Sequence, residues 1–463
     1  MPEMILPGTY IEVRDEGLIS AGRISTGNIG IVGTASKGND LGAVLISSLS
    51  EAREKFGSAD DDLTLVRSLQ IIYQNGGGNV YAVCTGACSK YTLEPVATDT
   101  QAASAPAAEG EKIGSVKGIT LQAKKPGTAG NGITIGVEEK DQEARKVTIK
   151  QRGATNELYS VSSLADMAKK IASESKLVRV ASLDVDAKDK LPTLLTTANF
   201  KDGANPDYEK ALEKLEQDII NIVVLAGQDA SNNTMLAALQ SHLTKAAEIK
   251  RERIGIMGLG FDQGKEVSIP EEIPANDRLI LVTPGIATKT QDGKENKLSS
   301  GYLAAAVAGL ISSLPVHTSP TNKTLNLDGL TEIFNSGKLQ KLVQKRLLAV
   351  EQRDGFRIVK GITTHDGAWR QITTRRIVDY AIYGVRSSCN PYIGKLNNVR
   401  VRGAMKATLD GFLSRMVEDE ALVGYQLEVS ANRSQELAGE AIVTMMLQPT
   451  FSIDFVKVTM SLS

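Results

Sequence analysis

Seven consecutive residues, Ile219-Ile220-Asn221-Ile222-Val223-Val224-Leu225, hold a single polar side chain. So short an apolar run, without alternation, fits a strand covered on both faces, as in the parallel sheet of an α/β protein. Its neighbours agree. Helical spacing over 207–218 precedes it and over 235–250 follows it. Further apolar strands stand at 254–258 and 279–282, and an Ala-rich apolar helix over 303–314 stops at Pro315. Strand and helix in this order predict a parallel sheet with both faces covered. Aromatics make up only 4% of the chain, so its cores must be built from Leu, Ile, Val and Ala.

The first 95 residues use the same grammar. A Gly-rich apolar strand at 28–35 is followed by a second at Val44-Leu45-Ile46. Ser50 is placed to cap a short helix ending at Phe56-Gly57. A helix over 63–73 is stopped by Asn75-Gly76-Gly77-Gly78, and a strand restarts at 79–83. Residues 96–112, rich in Ala, Thr and Glu, read as a linker. Period-two alternation at 119–123, 133–137 and 147–149, with a helix over 163–172, then predicts a small β-sandwich. Beyond 339, strands at 356–359 and 362–364 flank a Lys360-Gly361 turn. Helices over 372–384 and 404–417 follow, then a strand at 425–429 and an apolar stretch at 441–447 bounded by Pro449.

The expected architecture is therefore α/β and multidomain. It has an arm at 1–20, an α/β part of the core at 21–95, a linker at 96–112 and a β-sandwich insertion domain at 113–203. An α/β core domain at 204–338, an α+β C-terminal domain at 339–448 and a C-terminal strand arm at 449–463 complete it. Both arms are β-prone. Tyr10, Ile11 and Val13 lie near one end. At the other, the apolar residues are odd-numbered at Phe451, Ile453 and Phe455, then even-numbered at Val456, Val458 and Met460. That phase slip turns later side chains to the other face, through a bulge or a change of strand. A terminal strand pairs either at home or with a neighbour's sheet edge.

Little in the sequence carries chemistry. The 53 basic and 54 acidic residues argue against a whole-chain nucleic-acid or membrane binder and permit close self-association. Cys84 and Cys88 stand as C-x3-C with no second pair, short of a zinc site, and three cysteines fit a reducing compartment. His242, His317 and His365 show no metal-ligand spacing. Gly76-Gly77-Gly78 lacks the following Lys-Ser/Thr of a phosphate loop, and Asp60-Asp61-Asp62 lacks calcium-loop spacing. No apolar run reaches membrane-spanning length, and the N-terminal residues lack the pattern of a secretory leader. Residues 299–309 resemble the nucleophile-bearing helix of subtilisin-type serine proteases. Aligned on Val307-Ala308-Gly309, Gly301 takes the nucleophile's place, and glycine cannot attack a carbonyl. Neither a cofactor nor a catalytic residue is expected. The rival reading is an α/β hydrolase-like enzyme, which needs a Ser or Cys, a His and an acid that cannot be placed.

Several motifs, in order, resemble contractile tail sheath proteins. Leu6-Pro7-Gly8-Thr9-Tyr10-Ile11-Glu12 is similar to their P-G-V-Y-I-E opening. Residues 29–38 resemble their V-G-x-x-G-x-A-x-x-G segment, and Phe56-Gly57 with 75–83 their F-G and N-G-G-x-x-x-Y-V-V pair. Residues 127–133 resemble the G-x-x-G-N turn that opens their insertion. Leu225-Ala226-Gly227 and 304–309 fit their subtilisin-like domain, which lacks protease residues. Residues 369–385 resemble their R-R-x-x-x-x-I helix region. The small insertion resembles the shorter forms of Gram-positive type.

The resemblance implies a structural subunit of a phage or phage-like particle tail, assembled in the bacterial cytoplasm. Its partners would be further copies in stacked six-fold rings, an inner tail tube protein, and baseplate and tail terminator proteins. The arms, through Tyr10, Ile11, Val13, Phe451, Ile453, Phe455, Val456, Val458 and Met460, would add strands to neighbouring subunits. Between 338 and 402 there are 14 Lys and Arg against four Asp and Glu. Arg375, Arg376, Arg386, Lys395, Arg400 and Arg402 are therefore candidates to face an acidic tube.

Overall fold

A computed structural model describes residues 25–59, 62–95, 117–140, 144–185, 191–192, 195–260, 266–289 and 295–460. The chain opens with β1 (Ile29–Gly33), β2 (Val44–Ile46), α1 (Leu49–Phe56), α2 (Leu65–Gln74) and β3 (Val80–Cys84). Next come β4 (Lys90–Leu93), β5 (Gly118–Ala123), β6 (Thr134–Glu139), β7 (Arg145–Lys150), β8 (Glu157–Val161), α3 (Leu164–Glu174), β9 (Val178–Asp184) and β10 (Leu195–Asn199). Then follow α4 (Tyr208–Glu213), β11 (Ile222–Asp229), α5 (Asn233–Glu248), β12 (Ile254–Gly258), β13 (Leu279–Thr283), β14 (Ile286–Lys289) and β15 (Glu295–Leu298). After them run α6 (Ser300–Ser313), β16 (Thr324–Leu325), α7 (Ser336–Gln344), β17 (Leu348–Gln352) and β18 (Phe356–Ile358). The chain closes with α8 (Ile372–Cys389), α9 (Val399–Glu418), β19 (Leu422–Ser430), α10 (Arg433–Ala438) and β20 (Ile442–Pro449).

A nine-stranded sheet, in the order β16-β18-β17-β13-β12-β11-β1-β3-β2, forms the core. From β17 to β3 the pairs are parallel, and antiparallel strands finish both edges. Its central strands are apolar on successive residues because both faces are covered. One face packs on α1, α2 and α6, the other on α4, α5 and α7. Helix α6 has Ala at four positions and is buried on nearly every side. Small side chains let it lie close to the strands.

The β-rich segment leaves and re-enters the core along a two-chain stalk. There Ala87 bridges Ala204 and Lys90 bridges Lys201. Its two sheets, β4-β5-β9 and β10-β6-β7-β8, share one aliphatic core with α3. Helices α8 and α9 pack together and against the β19-β20 pair around Ile377, Phe412, Leu413 and Met416.

Three expectations need correction. The boundary expected at 338 falls inside the core, because β17 pairs with β13 and carries β18 with it. The cap of α1 is Ser48, whose hydroxyl accepts from the Glu51 N–H, not Ser50. Helix α4 ends at Glu213 rather than 218, because the buried Arg253 side chain takes the Leu215, Glu216 and Asp218 carbonyls. The expected 1–20 arm and 96–112 linker lie outside the described residues.

Candidate assembly interface

Pro449 ends β20, and residues 451–460 continue without pairing to any strand among the described residues. The arm's first residues are tied down by polar contacts. The Thr450 N–H donates to the Ala421 carbonyl at 3.1 Å, and the Ser452 N–H to Gln371 Oε1 at 3.4 Å. Lys360 Nζ lies 3.0 Å from Asp454 and 5.0 Å from the centre of the Phe455 ring. Ser452 and Asp454 thus face the body, while Phe451, Ile453 and Phe455 are 61%, 82% and 79% exposed. This is the reverse of a strand that finishes its own domain, which would turn its apolar side inward. Beyond the phase slip, Val456, Val458 and Met460 are exposed too. Tyr10, Ile11 and Val13 lie outside the described residues.

Strands β19 and β20 form a two-stranded antiparallel ribbon with Gln426 opposite Met446 and Val429 opposite Val443. One face, with Tyr425, Leu427 and Leu447, packs toward α8 and α9. The other carries the exposed Val423, Ile442 and Met446. Among the described residues no third strand joins either edge. A row of backbone donors and acceptors is thus open along each side, the arrangement that accepts added strands.

The basic candidates divide sharply. Arg375 is buried, bonded to Asp277 at 2.8 Å and Asp379 at 2.7 Å, and lies over the Trp369 ring. Asp379 also takes both terminal nitrogens of Arg278, at 2.7 and 3.0 Å. Arg376 donates to the carbonyls of Thr26, Leu314 and Pro315, closing the C-terminal end of α6. Burial pushes its pKa down to about 10. Arg386 forms a bidentate pair with Glu252, at 3.0 and 2.7 Å. Arg402 bonds Asn397 and Glu436. These four arginines fasten the C-terminal helices within the chain, so they are withdrawn as tube-facing candidates. Lys395 and Arg400 remain exposed, on a knuckle with Ile393, Leu396 and Val399, each more than three-quarters exposed.

The protease-like helix start is closed. A Cβ at Gly301 would stand 2.4 Å from the Gln228 carbonyl, and one at Gly258 would stand 2.4 Å from the Gly301 nitrogen. Ser300 is fully buried and accepts from the Gly260 N–H, and the Ser299 hydroxyl donates to the Gly227 carbonyl. Strand backbone fills the space a substrate would need. Among the described residues no group of three His, Cys, Asp or Glu could hold a metal, and no helix is long and apolar enough to cross a membrane.

Comparison with known proteins gives consistent matches. Residues 203–364 match the phage tail sheath protein central domain, and 364–463 the phage tail sheath C-terminal domain. A protein that goes by the name of tail sheath protein in Enterococcus phage phiEF24C is 29% identical over 117 residues. That stretch is 24% of this chain and spans only 21% of the relative's length. The fold is similar to the sheath tail protein of Desulfitobacterium hafniense, with TM-score 0.54 and 14% identity over 96% of this chain and 100% of that one. It is also similar to the helical sheath of the anti-feeding prophage in its contracted state, with TM-score 0.58 and 14% identity over 98% and 99%.

Proposed function

The chain belongs to the phage tail sheath family, as a structural and non-enzymatic subunit of a contractile sheath, and from that premise we propose how its parts assemble and move. Copies stack as six-fold rings around an inner tail tube, and contraction of the stack drives the tube through a target envelope. Baseplate and terminator proteins close the two ends, and assembly takes place in the bacterial cytoplasm.

The observation that carries this reading is the inverted arm. Residues 451–455 hold Asp454 to the parent body and leave Phe451, Ile453 and Phe455 mostly exposed. We read Phe451, Ile453, Phe455, Val456, Val458 and Met460 as a strand donated to the ribbon edge of another copy. Tyr10, Ile11 and Val13 serve the second edge. Backbone pairing of this kind persists while the bodies rotate, with Gly17, Gly22 and Pro449 bounding the hinges. The core is subtilisin-like in strand and helix order, without protease residues. The insertion at 113–203 is a β-sandwich, and the C-terminal body begins near 365. The knuckle bearing Lys395 and Arg400 faces the tube through weak, breakable contacts of roughly 0–1 kcal/mol per ion pair.

Negative-stain microscopy of the purified chain tests the reading. Rings or long hollow tubes are expected, and their loss on deletion of residues 1–15. A chain that stays monomeric at high concentration contradicts it.

A further inference from the structure

A cationic cleft of about 580 Å³ lies where the β-rich insertion meets the core. Lys37 after β1, Arg53 on α1, Lys90 at the start of β4 and Arg179 on β9 all line it, and among the described residues no Asp or Glu does. Lys37, Arg53 and Lys90 are exposed. The junction is built rather than loose. Gln122, 2% exposed, donates from Nε2 to the Ser36 carbonyl at 2.8 Å, and its Oε1 accepts from Arg179 Nε at 3.2 Å. One buried amide thus pins the two bodies together and orients a guanidinium at the cleft. On the core side, Ser36 donates to the Phe56 carbonyl. Only glycine fits at 57, where φ is +90° and a Cβ would stand 2.0 Å from Ser36 Oγ. Three exposed cations from separate elements, Lys37, Arg53 and Lys90, create a positive potential that carboxylates satisfy.

The molecule carries a matching surplus elsewhere. Glu418, Asp419 and Glu420 are consecutive and exposed at the C-terminal end of α9. Negative charge there opposes the helix dipole. Among the described residues none of the three side chains has an ion pair or hydrogen bond. None touches the cleft either, which belongs to a different part of the chain. A net charge of −1 leaves no strong repulsion between copies. We infer that the cleft between core and insertion receives the Glu418-Asp419-Glu420 corner of a second copy, making an electrostatic contact separate from any exchange of strands. This rests on the chain being a polymer-forming subunit.

The test is a charge swap in the full chain. One variant carries K37E, R53E and K90E, and a second carries E418K, D419K and E420K; thermal melts verify that each folds. Arg179 is left alone because Gln122 depends on it. Assembly is followed by sedimentation and microscopy across NaCl concentrations. Each variant should need about tenfold more protein to assemble, and its assembly should lose salt sensitivity. The six-fold mutant should recover most of the loss. If the six-fold mutant assembles no better than the triple variants, or the triple variants assemble like the parent, the contact is refuted. If the parent itself never assembles, the polymer reading fails instead, and the two failures are distinguishable.

Discussion

The nine-stranded core and the C-terminal ribbon are both β-sheets, but only one finishes itself. In the core, β1, β12 and β13 are buried at every residue, both faces are covered by helices, and β2 and β16 close the edges with short antiparallel strands. In the ribbon, eight paired positions have one packed face, one wet face and two open edges. The arm that continues from it shows its apolar side to solvent. The first arrangement is how a chain becomes stable alone. The second leaves apolar surface uncovered among the described residues, the pattern of a surface suited to another molecule. On the proposed reading, subunits that must keep their links while changing their lattice gain from this division, because strand pairing spans the joints while the bodies move.

The comparison can be broken at graded cost. The largest effect is expected from Gly301→Ser. Its Cβ would collide with strand backbone, so stability should fall by about 4 kcal/mol by denaturant unfolding, with no hydrolytic activity gained. Next, Asp379→Asn should cost about 3 kcal/mol, because it takes the carboxylate from Arg278 and one of two carboxylates from Arg375. Hydrogen exchange should quicken across α8, α9 and the ribbon while the core strands keep their protection.

A third prediction concerns pH. Burial, helped by the charges of Arg253 and Lys245, holds the His242 imidazole down at about 4. In the unfolded chain the ring takes its proton near pH 6.5. Between these values the unfolded state binds more protons. The His242 contribution is therefore intact above pH 6.5 and is lost progressively as pH falls toward 4, by roughly 3 kcal/mol in all. His242→Gln should flatten that part of the pH profile. The smallest effect on stability belongs to the arm. Replacing Phe451, Ile453 and Phe455 by Ser should move the unfolding free energy by no more than about 0.5 kcal/mol, since these side chains are mostly exposed. The same change should abolish polymers.

What could be read in the sequence follows the same divide. Buried strands such as Ile254–Gly258 and Leu279–Thr283 announce themselves, because two covered faces demand unbroken apolar runs. Strand β17 was hidden. No element was expected there, because Arg346 adopts φ +64° without a glycine to signal it, and the chain turns there into the sheet. The phase slip after Phe455 marks where the arm leaves its polar tether to Lys360. The fate of the basic residues was not legible. Local charge counting cannot see that Arg375 and Arg386 meet Asp277 and Glu252, 98 and 134 positions away. Nor could composition show that Gly227, Gly258 and Gly301 interlock where a protease would open its site.

Removing residues 456–463 spares every described contact between the arm and its own body and takes away the segment proposed to pair with another copy. Microscopy of this chain beside the full-length one asks directly whether the ribbon and arm are completed by other copies. An unchanged unfolding midpoint with no rings or tubes is the predicted result. Tubes of full length from the shortened chain would contradict it.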